Sequence, residues 1–136
     1  MTKTFQAGLI AAVVLLVFSF ICLQLMPVLF PKISEAYFQA AFINESSRNN
    51  LYYTQPIVLA FSLSWFWNRF RSLMKGSWIL KGVEMGILYL LIATLPSMIL
   101  IYSAIDVPAS VVFTWLIYGF SQALIAGLIF AGVYGE

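Results

Sequence analysis

A carboxylate inside a hydrocarbon layer is a candidate for proton or cation coupling, and Glu84 is the acid in this 136-residue chain placed for that role. It lies six residues past Trp78, about 9 Å along a helix from a ring that favours the membrane interface. Lys81 stands one turn earlier on the same helix face, so a local ion pair or a shared snorkelling position competes with the coupling role. The second candidate is Gln122, beside Ser121 near the middle of the last apolar stretch. An unpaired amide at that depth is costly, so Gln122 must face protein. It either bonds another helix, with Thr94 or Ser97 beside Pro96 in reach, or it lines a polar path. The hydrogen bond is the favoured reading, because a path needs more polar lining than one amide and a few hydroxyls.

Most other membrane chemistry is excluded by residue type. With no histidine there is no imidazole proton relay, no Ser-His-Asp machinery, and no His-bearing haem, zinc, copper or iron site. Cys22 is the single cysteine, so no intramolecular disulfide can form; inside an apolar run it reads as a small packing side chain. There is no Gly-rich phosphate loop, and a net charge of +2 without a basic stripe gives nucleic acid no footing. No cofactor, metal or catalytic role is expected.

The elements that hold Glu84 and Gln122 follow from where charge is missing. Only 9% of residues are charged and 62% are hydrophobic, against roughly a quarter charged in a soluble domain. Residues 4–31, 49–68, 85–105 and 107–135 carry no charge at all. About 20 mostly apolar residues cross the ~30 Å core as a helix, so each stretch spans once. The chain is therefore expected to be an all-α, polytopic membrane protein: an antiparallel bundle of four transmembrane helices over residues 5–26, 51–68, 78–103 and 109–134, forming a single domain. Pro27 and Pro31 should end the first helix, Pro56 should fall in the first turn of the second, and Pro96 should kink the third. Residues 34–43 start at a serine and carry Tyr37, Phe38 and Phe42, which predicts either a short interfacial helix or a loop helix over the bundle mouth. Asn44 heads an N-glycosylation sequon.

With four spans, both termini share one side with the loop at 69–75. That side holds Lys3, Arg69, Arg71, Lys75 and Lys81, against Lys32 and Arg48 opposite, which predicts cytoplasmic termini.

Helices associate in lipid through small residues that let backbones approach. Gly119, Ala123, Gly127, Ala131 and Gly135 recur every fourth position along the fourth span, and Gly82 and Gly86 open the third. A shorter pair, Gly8 and Ala12, opens the first. These positions are expected to be packing faces, within the bundle or against another chain. AGLIAAVV at 7–14 and AGLIFAGV at 126–133 agree at six of eight positions, but the two helices run in opposite directions, which favours convergent use of small and branched residues over duplication.

The second half, KGSWILKGVEMGILYLLIATLP followed by SVVFTWLIYGFSQALIAGLIFAGVY, resembles small bacterial four-helix membrane proteins in which a basic loop precedes a Gly-containing third helix and a small-residue-rich fourth. The resemblance implies a bacterial cytoplasmic membrane and carries over no catalytic residue. Small multidrug transporters are similar in size, but they place a Glu in the first helix, and residues 5–25 contain none. The function expected is a noncatalytic structural or accessory subunit, with lipid and other membrane subunits or further copies of itself as partners. The alternative is a small oligomeric transporter or channel using Glu84 and Gln122.

Overall fold

The computed structural model describes residues 2–29, 31 and 46–134. The expected helix at 34–43, the Asn44 sequon and Gly135 lie outside them. Among the described residues five α-helices follow in order: α1 (Thr2–Leu29), α2 (Ser46–Phe70), α3 (Trp78–Tyr89), α4 (Leu95–Ala104) and α5 (Ala109–Val133). No strand occurs among the described residues. Among the described residues three rods are long and apolar enough to cross a membrane: Lys3–Met26 in α1, Trp78–Ala104, and Ala109–Val133. α2 has the length, at 25 residues, but not the hydropathy. Its polar opening (Ser46 to Asn50) and its Thr54, Gln55, Ser62, Ser64 and Asn68 are the cause.

Prolines shape these helices differently from what their positions suggest. α1 continues through Pro27 to Leu29, because one missing N–H removes one backbone bond whereas ending the helix in apolar surroundings would strand several. α2 starts five residues before the expected span, which puts Pro56 in its interior. Proline removes the bond to the carbonyl of Tyr52, and Pro56 itself is fully buried against neighbouring helices. At Pro96 the adjustment occurs one turn earlier. Leu90–Thr94 is a π turn joining α3 to α4, and Leu95 N–H bonds Leu90 O, five residues back. Pro96 then sits in the first turn of α4, where its missing donor costs least. A widened turn is a recognised way to redirect a helix.

Close backbone approach is uneven among the helices. α1 runs antiparallel along α2, and both pack on α5, giving a three-helix core. The backbone of the rod Trp78–Ala104 comes close to α5 and to neither α1 nor α2 among the described residues. Apolar periodicity identifies helices without saying which pairs meet; the small residues decide it here. Ala7, Ala11 and Ala12 of α1 are buried, and a Cβ on Gly8 would lie 2.5 Å from the Phe61 ring of α2. Gly127 meets Gly82 so closely that its Cβ would stand 2.9 Å from the Gly82 Cα.

A short turn brings the chain from α2 to α3. Arg71–Leu73 forms one 3-10 turn, and Gly76 takes φ +104°, a left-handed backbone that only glycine adopts without strain. Ser77 then caps α3, its hydroxyl accepting from Leu80 N–H at 3.4 Å.

Candidate functional site

The interior of the three-helix core carries a polar seam rather than an unbroken apolar contact. Gln122 of α5, buried at its centre, exchanges hydrogen bonds with Gln55, an exposed residue of α2: Gln122 Nε2 donates to Gln55 Oε1 at 3.0 Å, and Gln55 Nε2 donates to Gln122 Oε1 at 3.3 Å. Gln122 is 1% exposed. The partner expected from sequence was Thr94 or Ser97, and the structure corrects this. Thr94 lies against Gly119, where a Cβ would come within 2.8 Å of its Oγ1, and Ser97 is exposed on α4. Gln122 turns instead toward the parallel helix α2.

One turn away, the Tyr118 hydroxyl shares a hydrogen bond with Ser19 Oγ of α1, and Tyr52 OH donates to the Ser19 carbonyl at 2.9 Å. The Tyr118 ring stacks between Phe18, with centroids at 5.8 Å, and Tyr52, at 6.3 Å. All three core helices are thus tied at one level by Ser19, Tyr52 and Tyr118 and at the next by the two glutamines. Sequence reasoning weighed Gln122 and passed over the rest. Tyr118 four residues before Gln122, and Tyr52 three before Gln55, place each polar pair on one helix face.

A second polar knot closes the end that carries the N-terminus. Thr4 Oγ1 bonds Tyr134 OH at 3.1 Å, the Tyr134 hydroxyl reaches Asn68 Oδ1 at 3.4 Å, and Ser64 Oγ donates to Thr4 O at 2.6 Å. Lys3 Nζ stands 5.3 Å and the Arg71 guanidinium 4.6 Å from the centre of the Tyr134 ring, close enough for cation–π attraction. Trp67 is fully buried beside Phe130 at 5.8 Å, and its Nε1 has no hydrogen-bond partner among the described residues.

Glu84 does not join Gln122. At about 100° per residue it stands about 200° around α3 from both Gly82 and Gly86, which face α5. It is partly buried, as is Lys81 one turn before it. The small residues do converge. Gly82 lies under Leu128, Gly86 under Phe120, and Gly119 and Gly127 take Thr94 and Gly82 in turn. Ala123 and Ala131 are completely buried on α5.

The seam is built of amides and hydroxyls, groups that donate and accept without changing charge near neutral pH. It can hold helices in register; it has no carboxylate to carry a proton. No group of three or more His, Cys, Asp or Glu side chains able to hold a metal occurs among the described residues. Fold and site together define an all-helical chain with three rods able to cross a membrane and a hydrogen-bonded core. Comparison with protein-family models, with curated proteins and with solved structures finds no match.

Proposed function

We propose that the chain is a noncatalytic structural or accessory subunit of a larger membrane assembly. The observation that carries this reading is α4. Leu95–Ala104 buries none of its residues within the chain, although the π turn and Pro96 fix its direction and α5 lies beside it. Its exposed residues include Ser97, Tyr102 and Ser103 as well as Ile99 and Leu100, a mixture of hydroxyl and apolar groups around the helix that suits another helix better than lipid alone. The transporter alternative has less support, because Gln122 is engaged by Gln55 and Glu84 faces away from the α3–α5 seam. Purification in mild detergent followed by mass spectrometry of the co-purifying proteins tests the proposal. A stoichiometric set of other membrane proteins is the expected result, and a homogeneous oligomer of this chain alone would overturn it.

In the proposed arrangement α2 crosses the membrane with the other three rods, since it runs antiparallel along α1 and parallel to α5 and its polar side chains are partly turned into the seam. Four crossings place both termini and the loop at 69–75 in the cytoplasm, by the excess of basic residues on that side. The resemblance in sequence to small bacterial four-helix membrane proteins makes a bacterial cytoplasmic membrane the proposed location. Cysteine introduced at Ser47 should react with an impermeant maleimide in intact cells, and cysteine at Ser72 only after lysis. The reverse pattern would invert the topology.

A further inference from the structure

α2 and α3 follow one another in sequence yet their backbones do not approach closely, and between them, with Tyr89 on the α3 side, is a notch open to the side of the molecule. Two recesses fill it, sharing Leu59, Ser62 and Tyr89. The larger, about 600 Å³, lies toward the 69–75 loop and includes Leu63, Trp65 and Phe66; the smaller, about 400 Å³, continues past Val58 to Leu51. From Leu51 to Trp65 the α2 wall is about 21 Å long, more than the ~15 Å of one leaflet's hydrocarbon.

The end of this notch is positively charged. The Arg69 guanidinium lies 5.3 Å from the centre of the Trp65 ring, and Trp65 lines the larger recess, so the cation stands at the rim of the apolar channel. Lys75 is exposed in the connecting loop, and residues 46–83 contain no Asp or Glu. The nearest acid in sequence, Glu84, is partly buried on α3.

We infer that the notch is a binding site for an anionic glycerophospholipid, with the phosphate at Arg69 and one acyl chain along Leu59, Leu63 and Phe66. Three features select this occupant. The channel is open sideways, so a chain enters without leaving the bilayer. Its lower half is apolar apart from Ser62 and Tyr89, which suits hydrocarbon. Its rim offers the Arg69 guanidinium, which matches a phosphate diester. The inference requires only that α2 and α3 cross the membrane, and it stands whether or not the chain belongs to a larger assembly.

The test uses the full chain reconstituted in phosphatidylcholine vesicles containing a minority of phosphatidylglycerol, with brominated acyl chains on one lipid or the other. Bromine quenches nearby tryptophan, and the Trp65 contribution is the difference between wild type and Trp65→Phe. Brominated phosphatidylglycerol should quench Trp65 about fivefold more than brominated phosphatidylcholine at equal mole fraction, the enrichment that one basic side chain gives at an anionic surface. Arg69→Gln should reduce the ratio to near one, while Lys3→Gln, the same charge change on another helix, should leave it. Equal quenching by the two lipids would overturn the inference. So would an excess that survives Arg69→Gln or that falls equally with Lys3→Gln, since diffuse attraction would then account for it.

Discussion

Replacing Gly127 by leucine will detach the Trp78–Ala104 rod from the three-helix core. Gly127 faces backbone: its Cβ would stand 2.9 Å from the Gly82 Cα, 3.1 Å from the Gly82 carbonyl oxygen and 2.9 Å from the Met85 Cβ. Backbone cannot rotate aside as the end of a side chain can, so even the first added carbon drives the helices apart. Overpacking a core costs about 1 to 3 kcal/mol where side chains can shift, and a leucine against backbone should reach or exceed the upper end. Among the described residues the rod makes its close backbone approach to α5 alone. The effect should therefore appear as loss of the folded arrangement rather than local strain. Gly132, five residues on in the same helix, has nothing within 4 Å of its Cβ position. Gly132→Leu should accumulate and melt like wild type. Thermal unfolding in detergent, followed by helical circular dichroism, together with membrane accumulation, makes the comparison. A Gly127→Leu protein indistinguishable from the Gly132→Leu control would mean that the α3–α5 seam is not held by backbone approach.

The same glycines show how far the fold is legible in the chain. Small residues four apart on residues 119–131, and Gly82 with Gly86, identify two helix faces without a structure, because in lipid only close backbone approach rewards that spacing. Charge-free stretches likewise locate α1, α2 and α5 nearly to their ends, whereas the Trp78–Ala104 rod starts before its stretch because Lys81 and Glu84 fall in its first two turns. For α2 the helix is legible and its membrane crossing is not, since its polar residues lower the hydropathy on which a crossing is read, and Gln55 and Ser64 among them bond to the neighbouring helices. Which helices pair is invisible to periodicity. Gln122 announces that it needs a partner, but Thr94 and Gln55 are equally suitable chemically, and only the rotation of α5 about its axis chooses between them. The π turn was foreshadowed by Pro96 and displaced from it by one turn. Loss of a donor can be absorbed upstream as well as at the proline itself.

The choice of Gln55 has a measurable consequence. Two primary amides joined by two hydrogen bonds should behave as a unit, so removing either leaves the other with an unmatched donor and acceptor in apolar surroundings. Gln122→Leu and Gln55→Leu should each destabilise by about 1 to 2 kcal/mol, at the upper end for interhelical hydrogen bonds in membranes, because two bonds are lost. Gln122→Leu should be the more severe: its residue is 1% exposed, whereas Gln55 lines the notch and a bereft amide at Gln122 has no outlet. The double variant leaves no orphan. It should cost clearly less than the sum of the singles, with a coupling of about 1 kcal/mol or more. If Gln122 instead served a polar path and met Gln55 only incidentally, the two substitutions would be additive and Gln55→Leu nearly silent. Reversible unfolding in mixed micelles for wild type, both singles and the double closes the cycle. Additivity would remove the glutamine pair from the interactions that hold α2 to α5, leaving the Tyr52 and Tyr118 contacts to Ser19 as the tie at that level.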